Sequence, residues 1–197
     1  GHEHGVKVYP ALTDPRVRGE TRFKRAGVPA YRARAANAWA AGADGLYLFN
    51  LYDLDPESPL WHELGDPKSL AFTDKEYFLT DLDGKSTRWL AEGDRHQTIP
   101  MVTPTAPAFL EVNQTLAFPL MVADDLSAAA EVGHEATATL HLEFPGLEDA
   151  GRVSASLNGE TLPTGKPRDG WIDWPLSAAQ VRKGVNHLAL TLHPPAP

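Results

Sequence analysis

The sequence lacks cysteine, long apolar runs and clustered basic residues, and each absence excludes a class of function. None of its 197 residues is cysteine, which excludes disulfides, Cys-ligated zinc and a thiol nucleophile. The apolar runs fall far short of the roughly 20 residues that a membrane span needs, so no membrane partner is expected. Eighteen Lys and Arg against 26 Asp and Glu give a net charge of −8. Without a basic stripe to neutralise phosphates, no nucleic-acid partner is expected.

Motifs for metal, phosphate or acyl chemistry are also missing. The histidines are scattered, no serine lies in a nucleophile elbow, and no phosphate loop is present. The adjacent acids Asp124 and Asp125 have no further ligand at metal-binding spacing, which is typical of a loop between strands. We therefore predict neither a metal nor a cofactor. The compartment stays open, although a cysteine-free acidic chain suits a secreted or periplasmic protein as well as a cytoplasmic one.

The first half has the pattern of parallel α/β structure. Residues 6–12 are a β-rich run, residues 29–41 have an apolar stripe at helical spacing that ends at Gly42, and residues 45–52 are almost continuously apolar. This order predicts a β-α-β unit whose second strand is buried on both faces. Since such a strand needs neighbours at both edges, further strands are expected upstream.

A change of pattern predicts the domain boundary. Residues 60–64, 70–78 and 85–90 have short helical patterns, and the polar stretch 93–100 that follows ends in proline. We therefore divide the chain into domains at residues 1–95 and 96–197.

The second half has the two-residue period of strands with one buried face. Its alternating apolar residues are Leu116, Phe118, Leu120 and Val122; Ala136, Ala138, Leu140, Leu142 and Phe144; Val153, Ala155 and Leu157; and Leu188, Leu190 and Leu192. Asn158-Gly159 is a strong signal for a tight hairpin. Several such strands without a long helix between them predict an antiparallel, jelly-roll-like β-sandwich and an α+β chain overall.

Several segments carry a resemblance to a known class of proteins. They read YRARAANAWAAGADGLYLFN at residues 31–50, LWHELGDP at 60–67, DKEYF at 74–78, SLNG at 156–159, WIDW at 171–174 and GVNHL at 184–188. The first three resemble the end of the barrel in bacterial glycoside-hydrolase-like proteins, where an Ala-rich A-x-x-W-x-x-G-A-D-G helix leads into the eighth strand. The last three resemble the β-sandwich that follows such barrels.

The resemblance implies that residues 1–95 are the last part of a (β/α)₈ barrel and that the partner is a carbohydrate, bound at the carboxyl ends of the strands. Glycosidases need two carboxylates about 5 to 9.5 Å apart. The strands expected to supply them are absent from this sequence, so the catalytic residues stay unassigned.

The candidates for sugar contacts are Tyr9, Asn50, Tyr52, Asp53, Trp61 and Trp171. Amide and carboxylate groups bind pairs of sugar hydroxyls, and aromatic rings offer a flat apolar face. The alternative is structural: Asn50 and Asp53 cap a turn, while Tyr52 and Trp61 pack in the core. Trp171 and Trp174 are three residues apart on a predicted strand, so they should face opposite sides, with one of them in the core.

Three hypotheses follow. In the first, the chain is the C-terminal region of a glycoside-hydrolase-like protein, catalytically incomplete alone, with the sandwich buttressing the barrel. In the second, the sandwich is a non-catalytic carbohydrate-binding module. In the third, the chain is a homo-oligomer in which a second copy covers the apolar strand. The outward positions that alternate with the core are Thr137, Thr139, His141, Ser154, Ser156 and Thr191; they are small or polar and favour the first hypothesis.

Overall fold

The computed structural model describes residues 1–51, 54–81 and 102–195, and the chain divides into two compact units, Gly1–Ala108 and Phe109–Pro197. The predicted boundary between residues 95 and 96 lies outside the described residues. Few helices and mainly antiparallel sheets confirm the α+β prediction. In the described ranges, no helix has both the length and the apolar character to cross a membrane.

The first unit contains two short parallel strands joined by a helix. Strand β1 (Ala11–Thr13) pairs with β2 (Tyr47–Phe49), and α1 (Val28–Ala40) lies between them in sequence. Helix α1 starts with Pro29 in its first turn, where a missing N–H costs nothing. It ends before Gly42, whose φ of 88° is readily adopted by glycine. The predicted helix over residues 29–41 is confirmed, whereas the strands are shorter than the apolar runs.

Within residues 1–51, 54–81 and 102–195, one face of this small sheet is covered. Leu12, Tyr31 and Ala35 are buried where β1 and α1 meet, and Leu48 packs against them. On β2, Tyr47 and Phe49 are 57% and 46% exposed. The expectation that residues 45–52 are buried on both faces is therefore wrong for this chain, because α1 and its neighbours supply a layer on one side.

Two short helices follow. Helix α2 is Leu60–Glu63, and α3 is Pro67–Leu70, capped by the Asp66 side chain, which accepts from the Lys68 N–H. The predicted helix over residues 70–78 is wrong. The Leu70 carbonyl accepts from the Thr73 N–H at 3.3 Å, from the Thr73 hydroxyl at 3.0 Å and from Lys75 Nζ at 2.6 Å, and these bonds take the place of the continuing helical bond. The predicted helix over residues 85–90 lies outside the described residues.

The second unit consists mainly of two antiparallel sheets. Its strands are β3 (Thr115–Val122), β4 (Ala138–Glu143), β5 (Val153–Leu157), β6 (Glu160–Thr161), β7 (Lys166–Arg168), β8 (Trp171–Leu176) and β9 (Gly184–Leu192). One sheet has the order β3-β9-β5-β6 and the other β4-β8-β7. A short helix, α4 (Leu126–Glu131), begins at Asp125, whose side chain accepts from the Ala128 N–H.

The core of the second unit lies between the two sheets. Ala155 on β5, Leu190 on β9, and Ile172 and Trp174 on β8 are buried together, and Trp174 is 0% exposed. The strands contribute alternate residues to this cluster, as the two-residue period predicts, so the unit is a β-sandwich. The Asn158-Gly159 hairpin is also confirmed, with φ of 55° and 88°, as a type I′ turn requires.

Candidate functional site

Tyr9 and Asn50, the two sheet candidates that the structure describes, do not come together. Asn50 directly follows β2 and has a φ of 56°, a backbone conformation that asparagine tolerates in turns. Tyr9 precedes β1, and its ring lies so close to Gly45 that a Cβ atom there would be 2.7 Å from it. Because the strands are parallel, Tyr9 and Asn50 lie at opposite ends of the sheet. Tyr52 and Asp53 lie outside the described residues.

The two candidate tryptophans lie in different units. Trp61 on α2 is 46% exposed, and its Nε1 donates to the Asp55 carbonyl at 2.9 Å, which fixes the ring to the preceding loop. Trp171 on β8 is half-buried, while Trp174 on the same strand is completely buried. Trp171 therefore has its side chain on the face of the sheet away from the core, and Trp174 has its side chain in the core.

Sequence analysis missed one buried charge near the end of β1. Arg34 on α1 is 8% exposed, and its Nη1 donates to the Thr13 carbonyl at 2.8 Å. Its guanidinium carbon lies 4.3 Å from the centre of the Tyr31 ring. Among the described residues, its Nε and Nη2 have no hydrogen-bond partner. The sequence feature that could have identified this buried charge is an arginine that lies between the alanines of a buried helix face.

Acidic groups with displaced pKa values lie in the same unit. Burial raises the pKa of Asp81, and the charges of Arg34 and Arg25 oppose this rise. Burial also raises the pKa of Glu76, with a further contribution from Glu20. A raised carboxyl pKa is what a general acid requires, but buried structural acids have it too. The catalytic residues therefore remain unassigned.

The outer face of the three-stranded sheet carries two rows of polar and aromatic side chains. The strand register places Glu143, Trp171 and Arg168 in one row, and His141, Asp173 and Lys166 in the next. In the second row, His141 Nδ1 and Asp173 Oδ1 are 2.7 Å apart. The row that contains Trp171 combines an acid, an aromatic ring and a base on neighbouring strands.

An open cleft of about 180 Å³ lies beside Trp171. Its apolar lining comes from Phe144, Leu147, Ala150, Pro167 and Ile172. Its polar and aromatic lining comes from Glu148, Arg168, Asp169, Gly170 and Trp171. At about 180 Å³ the cleft is smaller than the roughly 300 Å³ at which small-molecule pockets begin.

Tight turns encoded in the sequence build the walls of this cleft. Asp169-Gly170, with φ of 51° and 81°, joins β7 to β8 as a type I′ turn. Pro145-Gly146 forms a type II turn: Gly146 has a φ of 78°, and the Leu147 N–H donates to the Phe144 carbonyl at 3.2 Å. The Phe144 N–H donates to the Gly170 carbonyl at 3.2 Å. This last bond ties the two turns together.

Comparisons with known proteins do not assign this site. No protein-family model matches the chain, and no curated protein matches it significantly. Within the described ranges, no three acidic or histidine side chains gather where they could hold a metal ion. The class of the protein is therefore defined by its fold alone: an α+β chain that contains a β-sandwich.

Proposed function

We propose that this chain is the C-terminal region of a glycoside-hydrolase-like, carbohydrate-active protein. In this proposal β1, α1 and β2 are the final part of a (β/α)₈ barrel, and the sandwich buttresses that barrel. A glycosidase needs two catalytic carboxylates, and this chain has no assigned pair. We therefore propose that the chain is not catalytically complete by itself.

The observation that carries the proposal is the one-sided covering of the β1–β2 sheet. Parallel sheets are normally covered on both faces. Here α1 packs on the face that contains Leu12 and Leu48, whereas the rings of Tyr47 and Phe49 are exposed, with centroids 6.1 Å apart. In a (β/α)₈ barrel, helices cover the outer face and side chains fill the interior. Tyr47 and Phe49 suit such an interior.

The unpaired strand edges support the same proposal. Strand β1 pairs with β2 and with no other strand in the described part of the chain. The edges of an open two-stranded parallel sheet present backbone donors and acceptors with which neighbouring barrel strands can pair, although on β1 the Thr13 carbonyl accepts from Arg34 Nη1. We therefore expect the parent protein to place further parallel strands beside β1 and β2.

Hydrolysis assays with the complete gene product and with this chain test the proposal. Both proteins are incubated with a panel of neutral and acidic polysaccharides, and released reducing ends are measured. We expect the complete product to release sugar and the chain alone to release none. Hydrolysis by the chain alone contradicts the proposal. So does a gene that encodes no strand-helix repeats before Gly1.

A second candidate function is a non-catalytic carbohydrate-binding module formed by the sandwich. One observation favours it: the half-buried Trp171 is among the residues that line an open cleft, together with the exposed Arg168 and Asp169. Retention of the chain on immobilised polysaccharides without hydrolysis supports binding. Failure to be retained by any of them leaves only the buttressing role.

A further inference from the structure

The turn before β3 contains a sequence that oligosaccharyltransferases recognise. Asn113, Gln114 and Thr115 form the pattern Asn-x-Thr, in which x is not proline. Glu111 lies two residues before the asparagine, and bacterial enzymes of this class also select an acidic residue at that position. We propose that Asn113 is an acceptor site for N-linked glycosylation. This inference is independent of the proposed function, because it concerns a covalent modification of the chain.

The pattern occurs once in the sequence. The other four asparagines have neither serine nor threonine two residues later; they are Asn37, Asn50, Asn158 and Asn186. The chain therefore contains a single acceptor sequence, and its remaining asparagines serve as internal controls for a test of the site.

Asn113 lies at the surface in a tight turn. The Gln114 N–H donates to the Glu111 carbonyl at 3.1 Å, which closes a β-turn over residues 111–114. Asn113 is the third residue of this turn and has a φ of 64°, a conformation that glycine and asparagine adopt most readily. Residues 111–115 are all exposed. An enzyme can therefore reach the Asn113 side chain from solvent.

The hydrogen bonds that hold the turn involve other groups than the amide of the Asn113 side chain. The Asn113 N–H donates to the Leu192 carbonyl at 2.8 Å, and the Gln114 side chain accepts from the Glu111 N–H at 3.4 Å. These bonds use the main chain of Asn113 and the side chain of Gln114. The side-chain nitrogen of Asn113 can therefore react while the turn keeps these bonds.

The hydroxyl that completes the acceptor sequence lies at the end of a strand. Thr115 is the first residue of β3, and its Oγ1 lies 2.8 Å from Oγ1 of Thr191. The two residues form the terminal pair of the ladder between β3 and β9, and terminal pairs open at the lowest cost. Because Thr115 is exposed, water can replace the Thr191 hydroxyl when the enzyme approaches.

The proposed reaction forms one bond and breaks one. The donor is an oligosaccharide joined to a polyprenyl lipid through a diphosphate. The side-chain nitrogen of Asn113 bonds to the anomeric carbon of the first sugar, and it loses one proton. The bond from that carbon to the diphosphate oxygen breaks, so the lipid diphosphate leaves. The product carries a bulky hydrophilic group, which a surface turn accommodates.

Transfer to the folded chain tests the inference. The chain of residues 1–197 is incubated with a purified bacterial oligosaccharyltransferase and a lipid-linked oligosaccharide. A peptide of residues 109–118 is incubated in parallel to verify that the enzyme is active. We expect the intact mass of the chain to rise by one oligosaccharide. Peptide mapping should find it on Asn113, with the other four asparagines unmodified.

Three variants separate recognition from folding. Asn113→Asp keeps a residue type that tolerates positive φ but removes the acceptor nitrogen, so it should abolish transfer. Thr115→Val keeps a β-branched side chain in the strand but removes the hydroxyl, so it should also abolish transfer. Thr115→Ser keeps the hydroxyl and should still be glycosylated. Equal urea midpoints show that the variants fold like the unmodified chain.

The inference is overturned if the folded chain stays unmodified while the peptide is glycosylated, or if Asn113→Asp still gains an oligosaccharide. Equal loss of transfer in Thr115→Ser and Thr115→Val also contradicts it, because the hydroxyl would then not be the group that the enzyme recognises. None of these results bears on the proposed function, since that proposal is tested by the hydrolysis of polysaccharides.

Discussion

Gly165 lies against the indole of Trp174 with no space for a side chain. A Cβ atom on Gly165 would be 2.5 Å from Cε2 of Trp174 and would also collide with Cγ2 of Ile172. Both partners are buried in the core between the sheets, so neither has free volume into which it can move. The glycine just before β7 is thus required by packing in the core of the sandwich.

Gly165→Ala should therefore destabilise the sandwich. Overpacking of a filled core costs about 1–3 kcal/mol, and urea unfolding followed by circular dichroism measures the loss. Gly65→Ala is the control, because no atom lies within 4 Å of a Cβ at that position. Its unfolding free energy should change by less than about 0.5 kcal/mol. Equal stability of the two variants would show that the core near Trp174 is loosely packed.

A second prediction concerns the buried amide of Asn186, which is 1% exposed. Its Oδ1 accepts from the Asn158 side chain at 2.9 Å and from the Arg182 N–H at 2.8 Å. Its Nδ2 donates to the carbonyls of Arg182 and Gly184. Asn186→Asp should destabilise the sandwich by about 2 kcal/mol or more, since a carboxylate would face two carbonyl oxygens.

The neighbouring position provides the control for Asn186. His187 is exposed on the same strand, so His187→Ala should have little effect on the urea midpoint. Asn186→Asp should also recover part of its stability in acid, where the new carboxyl group is protonated and can donate one bond. If Asn186→Asp is as stable as the unmodified chain at neutral pH, the hydrogen bonds of Asn186 do not stabilise the sandwich.

Local chemistry explains which elements of the fold could be predicted from the sequence. Helix α1 has an apolar stripe, and Gly42 marks its end, so neighbouring residues alone specify it. The two-residue period of the sandwich strands is likewise a pattern of neighbouring residues. The Asn158-Gly159 pair specifies a tight hairpin turn from its two residue types alone. The helix predicted over residues 70–78 failed because Thr73 and Lys75 bind the Leu70 carbonyl. A periodicity argument cannot foresee that competition.

The candidate site was less predictable because its parts are distant in sequence. Trp171 was a candidate, but the cleft beside it combines the segment 144–150 with the segment 167–172. Their approach depends on the pairing of β4 with β8, which no local pattern specifies. Likewise, the surroundings of Arg34 depend on the end of β1, which lies 21 residues earlier in the chain.

The exposed rings of Tyr47 and Phe49 give a third prediction. Because both side chains are exposed in this chain, Tyr47→Ser with Phe49→Ser should change its unfolding free energy by less than about 1 kcal/mol. Leu12→Ala, on the face covered by α1, should cost about 2–5 kcal/mol. Urea unfolding compares the two. A large loss in the double variant would show that this face is already covered.

Size-exclusion chromatography of the same double variant tests the homo-oligomer hypothesis. If a second copy covers Tyr47 and Phe49, the unmodified chain should elute as a dimer at high concentration and the double variant as a monomer. If the face belongs inside a barrel, the double serine variant should instead destabilise the complete gene product. Leu12→Ala lies on the opposite face and serves as the control for nonspecific loss of folding.

The last prediction follows from the ion pair between α1 and α2. Arg32 Nε lies 2.6 Å from Glu63 Oε2, and Arg32 Nη2 lies 2.8 Å from Oε1. Hydrogen bonding to Arg32 is the main reason why the pKa of Glu63 is below its usual value of 4.5, and burial opposes this effect. A lowered carboxyl pKa in the folded state stabilises the fold above the unfolded pKa, and this contribution disappears as the pH falls through the folded-state pKa.

The pair should therefore stabilise the first unit at neutral pH and cease to do so in acid. We expect Glu63→Gln to cost about 1 kcal/mol at neutral pH, with the difference from the unmodified chain shrinking as the pH falls below 4.5. Urea titrations at a series of pH values measure this difference. Combining Glu63→Gln with Arg32→Gln completes a double-mutant cycle, which separates the pair from the other carboxylates. A coupling energy that stays constant across this pH range would mean that the charge of Glu63 does not stabilise the fold.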